Sequence, residues 1–430
     1  MKRERTIAVL GAGNGGQAMA ADLAAQGFRV HLWNRSPSRI QPILRRGGIQ
    51  LKGLLNDFGS PHLVTTDLES ALQGADVIMV VITANAHRSL AEKLAPHLQE
   101  GQIILLNPGR TGGALEVANV LQKKGLQKHV YIAEAQTLVY ASRIIEPAVV
   151  KVLGIKKFVP VAALPAADTP HMLELVQDLY PSFKPAQHVL ETSLGNIGAI
   201  FHPAVALFNA SRIDKAISFR FYKSVTPSIA SFLEKLDKER LDVGKAFGLD
   251  LESAFDWISH SYPGITEGED LCNRIQSNPA YSTITAPSHL NTRLLFEDVP
   301  TGLIPLASLG RIADISTPLC SSTAIIASAL TGKNYHREGR TLSRMGIQGM
   351  TGEEMLHFVM HGSQKRPSRK QENKLINASK TSRGVYPNRE RRSAPFQGQG
   401  LMHQPGSAHR DKVLNDHDEV AKETSIVSDG

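Results

Sequence analysis

Short apolar runs rich in β-branched residues alternate with amphipathic stretches over the first 114 residues. Residues 17–26 and 86–98 place their apolar side chains at helical spacing. The runs that have the length and composition of buried strands are 6–11, 29–34, 76–82 and 102–107. Strands joined by helical crossovers form parallel sheets with helices on both faces. The pattern therefore predicts an α/β fold that begins with a doubly wound parallel sheet.

The strand pattern continues for about 50 residues more and then gives way to helices. Three further runs are predicted to extend the same sheet, namely 131–135, 149–155 and 158–164. A helix over 171–180 follows them. From Ser193 to about residue 330 the periodicity is mainly helical, as in 228–248 and 252–262. These features predict a sheet domain over 1–188 and an all-helical C-terminal domain over 189–362.

The end of the chain has a different composition. Residues 363–430 contain few apolar side chains and many Ser, Asn, Gln, Lys and Arg. Such a segment buries too little apolar surface to offset the conformational entropy lost on ordering. We therefore predict a disordered basic tail over 363–430.

The formal net charge of +8 lies mostly in this tail. Residues 363–430 hold 13 Lys and Arg against 8 Asp and Glu, which accounts for five of the eight positive charges. Only Tyr386 and Phe396 lie among these charges, and they are too few to stack on bases. We expect no nucleic-acid partner. Salt-dependent binding of the tail to DNA would instead favour a nucleic-acid-associated protein.

Cysteine content and hydropathy bear on the compartment. Two cysteines, Cys272 and Cys320, cannot build a disulfide framework, which favours a reducing environment. The apolar run that precedes the first glycine has five residues, too few for the apolar region of a signal peptide. No stretch approaches the roughly 20 apolar residues that a membrane helix needs. We expect a cytoplasmic protein with no membrane partner, and the sequence is compatible with a homodimer.

A glycine-rich turn joins the first predicted strand to the first predicted helix. Its sequence, GAGNGG, spaces Gly11, Gly13 and Gly16 as GxGxxG and places Asn14 at the start of the helix. In a strand–turn–helix context this spacing binds a dinucleotide, whose pyrophosphate sits on the helix N-terminus. Residues 1–188 are therefore predicted to be a Rossmann dinucleotide-binding domain. The alternative is a glycine-rich turn without a ligand.

The end of the second strand indicates which dinucleotide is bound. NAD enzymes commonly place a carboxylate about 20 residues after the glycines, on the ribose 2′-hydroxyl. This chain has Asn34, Arg35 and Ser36 there instead. A guanidinium suits the 2′-phosphate of NADP because its planar fork donates paired hydrogen bonds. We predict that NADP(H) is favoured over NAD(H), unless Arg35 is simply a solvated surface charge.

Two later strand ends are expected to face the same cofactor. They carry Thr83, and Asn107 with Gly109, and ligands of open α/β sheets gather at the carboxyl ends of the strands. Asn-Pro-Gly is also a good turn sequence, so turn formation alone is the alternative explanation.

Several segments resemble, in order, those of opine dehydrogenases of the octopine and nopaline type. They are residues 134–143, 195–203, 221–240 and 293–303, the last being RLLFEDVPTGL. With the glycine turn they extend from Gly11 to about Phe358. The resemblance implies that 189–362 is the catalytic domain. It also implies NAD(P)H-dependent, reversible reductive condensation of a 2-oxo acid with the amino group of an amino acid.

The resemblance further implies roles for individual residues. His202 would be the acid–base residue, Asp298 would orient and stabilise its imidazole, and Arg293 would hold a substrate carboxylate. Thr137 and Tyr140 would lie at the substrate, and no metal is implied. Imidazole suits the chemistry, because condensation removes a proton from an ammonium and later gives one to a departing hydroxyl.

Other interpretations remain open at this point. A simple NADP-dependent reductase of 2-oxo acids, similar to ketopantoate reductase, would share the two-domain plan. The pair His202-Pro203 could mark a helix kink, and Arg293 could form a surface pair with Glu297 one helical turn later.

Overall fold

The computed structural model describes residues 5–261 and 270–362, and the predicted tail over 363–430 lies outside them. Its strands are β1 (Thr6–Leu10), β2 (Arg29–Trp33), β3 (Ile49–Gly53), β4 (Phe58–Gly59), β5 (Leu63–Thr65), β6 (Val77–Val80), β7 (Ile103–Leu106), β8 (Tyr131–Ala135), β9 (Tyr140–Glu146), β10 (Val149–Ile155), β11 (Val159–Leu164) and β12 (Phe183–Pro185). They form an eight-stranded sheet in the order β12-β11-β8-β7-β6-β1-β2-β5 and a four-stranded sheet in the order β4-β3-β10-β9.

The helices in the first half are α1 (Asn14–Ala25), α2 (Pro37–Arg46), α3 (Leu68–Leu72), α4 (His87–Leu94), α5 (Gly113–Lys123) and α6 (Thr169–Val176). Those in the second half are α7 (Val189–Leu194), α8 (Gly198–Phe208), α9 (Ala210–Asp214), α10 (Pro227–Ala246), α11 (Ala254–Ser261), α12 (Leu271–Ser277), α13 (Arg293–Phe296), α14 (Ile304–Ile312), α15 (Pro318–Thr331), α16 (Tyr335–Glu338), α17 (Leu342–Met345) and α18 (Gly352–His361). A π-helical turn over Val299–Leu303 joins α13 to α14.

The central strands of the large sheet are parallel and buried on both faces. β1 pairs in parallel with β2 and β6, and β7 pairs in parallel with β6 and β8. Neighbouring side chains on one strand join different cores: Ile7 belongs to the core that contains α1, and Ala8 belongs to the core that extends into the helices of the second half. The predicted α/β class, with a doubly wound sheet followed by helices, is confirmed.

One predicted strand belongs elsewhere. Residues 149–155 do form a strand, β10, but it pairs with β3 and β9 in the small sheet rather than extending the large one. Its side chains alternate between buried and exposed, and Leu153 is 54% exposed. A strand buried on one face alternates in this way, whereas central parallel strands are apolar throughout. The sequence did not show this one-sided burial, because the exposed Leu153 and Ile155 are apolar.

The second half is helical but not separate from the sheet. Its helices share one continuous core with a face of the large sheet, and α18 packs back against β11. The longest helix, α10, begins at Pro227 because Thr226 accepts a hydrogen bond from the Ile229 amide and proline suits the first helical turn. The boundary between 1–188 and 189–362 stays a prediction. Within the described residues, no helix is both long and apolar enough to span a bilayer.

Candidate active site

The glycine turn between β1 and α1 leaves room for a phosphate. Gly11 has φ +120°, and a Cβ there would lie 2.3 Å from the Val81 carbonyl oxygen. A Cβ at Gly16 would lie 1.8 Å from the Gly11 carbonyl oxygen, so helix and strand touch at this point. No atom lies within 4 Å of the position of a Cβ at Gly13. The chain is therefore close-packed behind the turn and open in front of it.

The N-terminus of α1 suits an anion. Gly13 precedes the helix, no side chain caps its amides, and the first turn has no acidic residue. Unpaired N–H groups and the helix dipole favour a phosphate at such a terminus. Asn14 lines the cleft there, while its Oδ1 accepts a hydrogen bond from the Ile144 amide (3.0 Å) and so ties the helix to β9.

Asn34 connects the glycine turn to the end of β2. Its Oδ1 accepts a hydrogen bond from the Ala12 amide (2.9 Å), and its Nδ2 donates to the Ser36 carbonyl (3.2 Å). Arg35, between Asn34 and Ser36 in the sequence, is exposed and makes no ion pair within 5–261 and 270–362. A guanidinium in this position is accessible to a ligand that enters along the turn.

The glycine turn opens into a cleft of about 290 Å³. The predicted cofactor and substrate residues that line it are Gly11, Gly13, Asn14, Asn34, Thr83, Asn107, Thr137, Tyr140 and Arg293. Asn107 presents a buried Oδ1 that has no hydrogen-bond partner in the described part of the chain. A buried acceptor of this kind calls for a donor from a ligand or water. The lining of the cleft therefore fits a dinucleotide whose nicotinamide ring, with its carboxamide N–H donors, reaches the end of β7.

Four predicted cofactor residues do not line the cleft: Gly16, Arg35, Ser36 and Gly109. Gly109 serves packing, because a Cβ there would lie 2.4 Å from a carboxylate oxygen of Glu134. Its carbonyl also accepts a hydrogen bond from Arg340 (2.8 Å). A larger cavity of about 900 Å³ lies between α14 and α15, but the residues of the glycine turn do not line it. His202 and Asp298 line neither of the two cavities. We therefore regard the smaller cleft as the candidate site.

His202 lies on α8 and is bonded through both ring nitrogens. Nδ1 is 2.9 Å from Asp298 Oδ2, and Nε2 is 3.1 Å from the Tyr222 hydroxyl. The carboxylate accepts from Nδ1–H, so Nε2 is left as the basic nitrogen. The structure thus brings together His202 and Asp298, which are 96 residues apart in sequence.

Asp298 is buried at the start of the π-helical turn. Burial alone would raise the pKa of its carboxyl. The charges of His202 and Arg110, the hydrogen bond from His202 and the more distant Arg293 together hold this pKa below its usual range. Asp298 is therefore ionised at neutral pH and can stabilise an imidazolium.

Arg293 lines the cleft but already forms an ion pair with Glu297. Its Nε and Nη2 donate to Glu297 Oε2 at 3.0 and 2.7 Å, so the pair foreseen from the i,i+4 spacing is formed. Glu297 is buried rather than on the surface, and its Oε1 accepts from the Ala84 amide (2.9 Å). Arg293 remains 27% exposed at the side chain. It can bind a substrate only through guanidinium N–H groups that do not donate to Glu297.

The two other predicted substrate residues differ in what they offer. Lys156, which also lines the cleft, donates to the Thr137 hydroxyl, so these two present a polar pair. The Tyr140 hydroxyl instead donates to Asp22 of α1, and burial raises its pKa well above the ordinary value. Tyr140 can contact a ligand through its ring but not through its hydroxyl.

Four residues at the site were not predicted: Arg110, Lys156, Tyr222 and Glu297. Arg110 had a usable signal, because it directly follows the turn at the end of β7, where ligands gather. Tyr222 and Glu297 lay inside segments that carry the resemblance, but neither had a role there. Lys156 had no signal, because the strand that precedes it was placed in the wrong sheet.

The arrangement can move protons beside a nucleotide. A basic Nε2, a buried carboxylate behind it and a cleft that begins at a phosphate-binding turn are the parts of a dehydrogenase that uses an acid–base histidine. In the described ranges, no group of three or more His, Cys, Asp or Glu could hold a metal ion.

Comparison with sequence families agrees with this geometry. Residues 185–331 match the family described as NAD/NADP octopine/nopaline dehydrogenase, alpha-helical domain. Residues 6–107 match the N-terminus of NAD-dependent glycerol-3-phosphate dehydrogenase. The chain is 40% identical over 353 residues to an opine dehydrogenase of Arthrobacter sp. (strain 1C), a match that covers 82% of this chain and 98% of that protein. It is 25% identical over 307 residues to octopine dehydrogenase of Pecten maximus, covering 65% and 76% of the two chains.

Solved structures share the fold. Octopine dehydrogenase in complex with NADH and agmatine superposes with a TM-score of 0.71 at 23% identity, over 82% of this chain and 98% of that one. Yersinopine dehydrogenase with NADP⁺ bound gives a TM-score of 0.63 at 16% identity, over 83% and 97%. A ketopantoate reductase from Ralstonia eutropha gives 0.54 at 16% identity, over 78% and 99%.

Proposed function

The chain belongs to the opine dehydrogenase family, and from this premise we propose that it joins a 2-oxo acid to the amino group of an amino acid and reduces the resulting imine. Membership makes it an NAD(P)-dependent oxidoreductase. The observation that carries the reaction type is the buried pair of His202 and Asp298, whose carboxylate lies 3.9 Å from Arg110 in the lining of the nucleotide cleft.

His202 supplies the proton transfers that the condensation requires. Its Nε2 takes a proton from the substrate ammonium, which frees the amine to attack the keto carbon. After the attack, the amine nitrogen passes a second proton to the keto oxygen, which becomes a hydroxyl. His202 then returns the first proton to this hydroxyl, which leaves as water when the imine forms. Asp298 holds the proton on Nδ1 and stabilises the imidazolium between these two transfers.

The cleft positions the partners of the second step. Gly11, Gly13 and the start of α1 would hold the pyrophosphate, and Thr83 and Asn107 would border the nicotinamide. When bound, the reduced nicotinamide supplies the hydride that converts the imine carbon to an amine carbon. The contribution of the chain is to hold two substrates and the cofactor in one orientation. Arg293 would bind a substrate carboxylate, with Thr137 beside it.

The test of this reaction is its dependence on an amine. Purified protein with NADPH should be given pyruvate, 2-oxoglutarate or oxaloacetate, each with and without a panel of amino acids. With the oxo acid alone, NADPH oxidation should remain near background, because the species that accepts the hydride does not form. The right amino acid should start turnover. The product should be a secondary amine with the mass of the two substrates minus water plus two hydrogens.

A 2-hydroxy acid formed at full rate without any amine would contradict the proposal and favour a simple reductase. The same panel identifies the oxo acid and the amino acid, and running it with the product and NADP⁺ measures the reverse direction.

We also propose that NADP(H) is preferred over NAD(H), because Arg35 is exposed and unpaired beside Asn34 and Ser36 within the described ranges. Replacing Arg35 with alanine should weaken NADPH binding by about 1.5–3 kcal/mol, the scale of a hydrogen bond to a charged group. NADH binding should change little, because it has no 2′-phosphate. Fluorescence titration with both coenzymes measures this difference.

Arg45→Ala is the matched control, since Arg45 is exposed in the last turn of α2. Tighter binding of NADH than NADPH to the wild type would refute the preference.

A cytoplasmic location and a homodimer remain predictions; Cys272 and Cys320 are both free in the structure.

A further inference from the structure

We propose that Arg110 binds the carboxylate of the 2-oxo acid and makes this carboxylate a requirement for turnover. The inference rests on the proposed function and goes beyond it, because Arg293 accounts for only one of the two carboxylates that the substrates bring.

Arg110 is a buried cation with an unused donor. It follows the turn at the end of β7, lines the cleft and is 8% exposed. Its Nη1 donates to Asn196 Oδ1 (3.1 Å), but its buried Nε has no hydrogen-bond partner within 5–261 and 270–362. Buried guanidinium nitrogens are nearly always bonded, and an exception at a cleft points to a ligand.

The backbone holds Arg110 in this position. Arg110 has φ +57°, a conformation that residues with a side chain rarely adopt. Both of its neighbours are anchored, since the carbonyls of Gly109 and Thr111 accept from Arg340 Nη1 at 2.8 and 2.9 Å. Thr111 also donates through its amide to the Thr301 carbonyl (3.1 Å). Such conformations persist where the surroundings impose them, and they concentrate at functional sites.

The nearby carboxylates leave the Arg110 donors available. Glu297 Oε1 lies 3.9 Å from its Nε, and Asp298 Oδ1 lies 3.9 Å from its Nη1. At these distances the two carboxylates compensate the buried positive charge of Arg110, but they lie too far away to accept hydrogen bonds from it. Arg293, in contrast, donates two nitrogens to Glu297 at hydrogen-bond distance. A carboxylate that enters the cleft therefore finds in Arg110 an Nε–H that the fold itself does not use.

Proximity to His202 decides which carboxylate Arg110 receives. A side-chain carbon at Gly198 would lie 3.0 Å from Arg110 Nη1 and 3.2 Å from His202 Cε1, so both groups border one small space. In a 2-oxo acid the carboxylate is attached directly to the carbon that reacts. The carboxylate of the amino acid is separated from that carbon by a nitrogen and a further carbon. The deep cation beside His202 thus suits the oxo acid, and the more exposed Arg293 suits the amino acid.

The experiment compares a carboxylate with its neutral amide. Wild type, Arg110→Gln, Arg110→Lys and the exposed control Arg337→Gln are assayed with NADPH and the amino acid found above, using pyruvate or pyruvamide. Arg110→Gln should raise the KM for pyruvate by about 10- to 100-fold, the range of a charged hydrogen bond. The KM for the amino acid should change less than about threefold. The preference for pyruvate over pyruvamide should fall by the same factor as the pyruvate KM rises.

Arg110→Lys should recover part of that preference because it keeps the charge but loses the planar fork, and Arg337→Gln should match the wild type. If Arg110→Gln does not fold, as judged by thermal melting and NADPH titration, the same ratio in Arg110→Lys decides. An unchanged preference in a folded variant that still shows amine-dependent turnover would overturn this inference alone. Absence of amine-dependent turnover in the wild type would overturn the proposed function itself.

Discussion

Replacing His202 with alanine should lower kcat by about 10²–10⁴-fold, the usual contribution of a positioned acid–base group. The physical reason is that no other imidazole lies against the Asp298 carboxylate in the described structure. Without Nε2, the substrate ammonium has to lose its proton to water, and the departing hydroxyl has to gain one from water. Steady-state assays with saturating oxo acid, amino acid and NADPH measure the change.

NADPH binding should survive in His202→Ala, because the hydrogen bonds of His202 go to Asp298 and Tyr222, and neither residue belongs to the glycine turn or to β2. The exposed His357→Ala is the matched control and should turn over normally. Near-normal turnover in His202→Ala would refute the mechanism, provided that its melting temperature and NADPH affinity match those of the wild type.

Replacing Asp298 with asparagine should lower kcat by up to about 10⁴-fold, the loss caused by this change where an aspartate orients a catalytic histidine, while the protein remains folded. An asparagine amide can donate to His202 Nδ1, which would move the ring proton to Nε2 and remove the base. It also removes the charge that stabilises the imidazolium and leaves Arg110 with less compensation. Steady-state kcat and thermal melting measure the two effects separately.

The control for Asp298→Asn is Asp242→Asn, an exposed carboxylate on α10 paired with Lys238. The pKa of Asp298 is lowered from an ordinary value of 3.8. Its charge therefore stabilises the fold above that value and is lost only as the pH falls through the lowered pKa. The defect of Asp298→Asn should consequently persist across pH 6 to 8. A defect that disappears within this range would contradict the assigned role.

The elements that local pattern could specify were predicted well. β1, the glycine turn and α1 were located to within a few residues, because periodicity and glycine spacing are properties of neighbouring positions. The resemblance to opine dehydrogenases is confirmed by the relative at 40% identity. The hydrophobic pattern predicted β10 as a strand but not its pairing with β3 and β9, because strand pairing depends on residues that are distant in sequence.

The sequence by itself determined the class of fold, the presence of a dinucleotide turn and the family. It also supplied His202, Asp298 and Arg293, as candidates for catalysis. Only the tertiary structure decided how they are used. Because α8 and the turn before α14 pack against each other, the imidazole meets the carboxylate. The same packing commits Arg293 to Glu297 and leaves the Nε of Arg110 without a partner in the described residues. Charges compete for partners according to distance and burial, and neither quantity can be read from spacing along the chain.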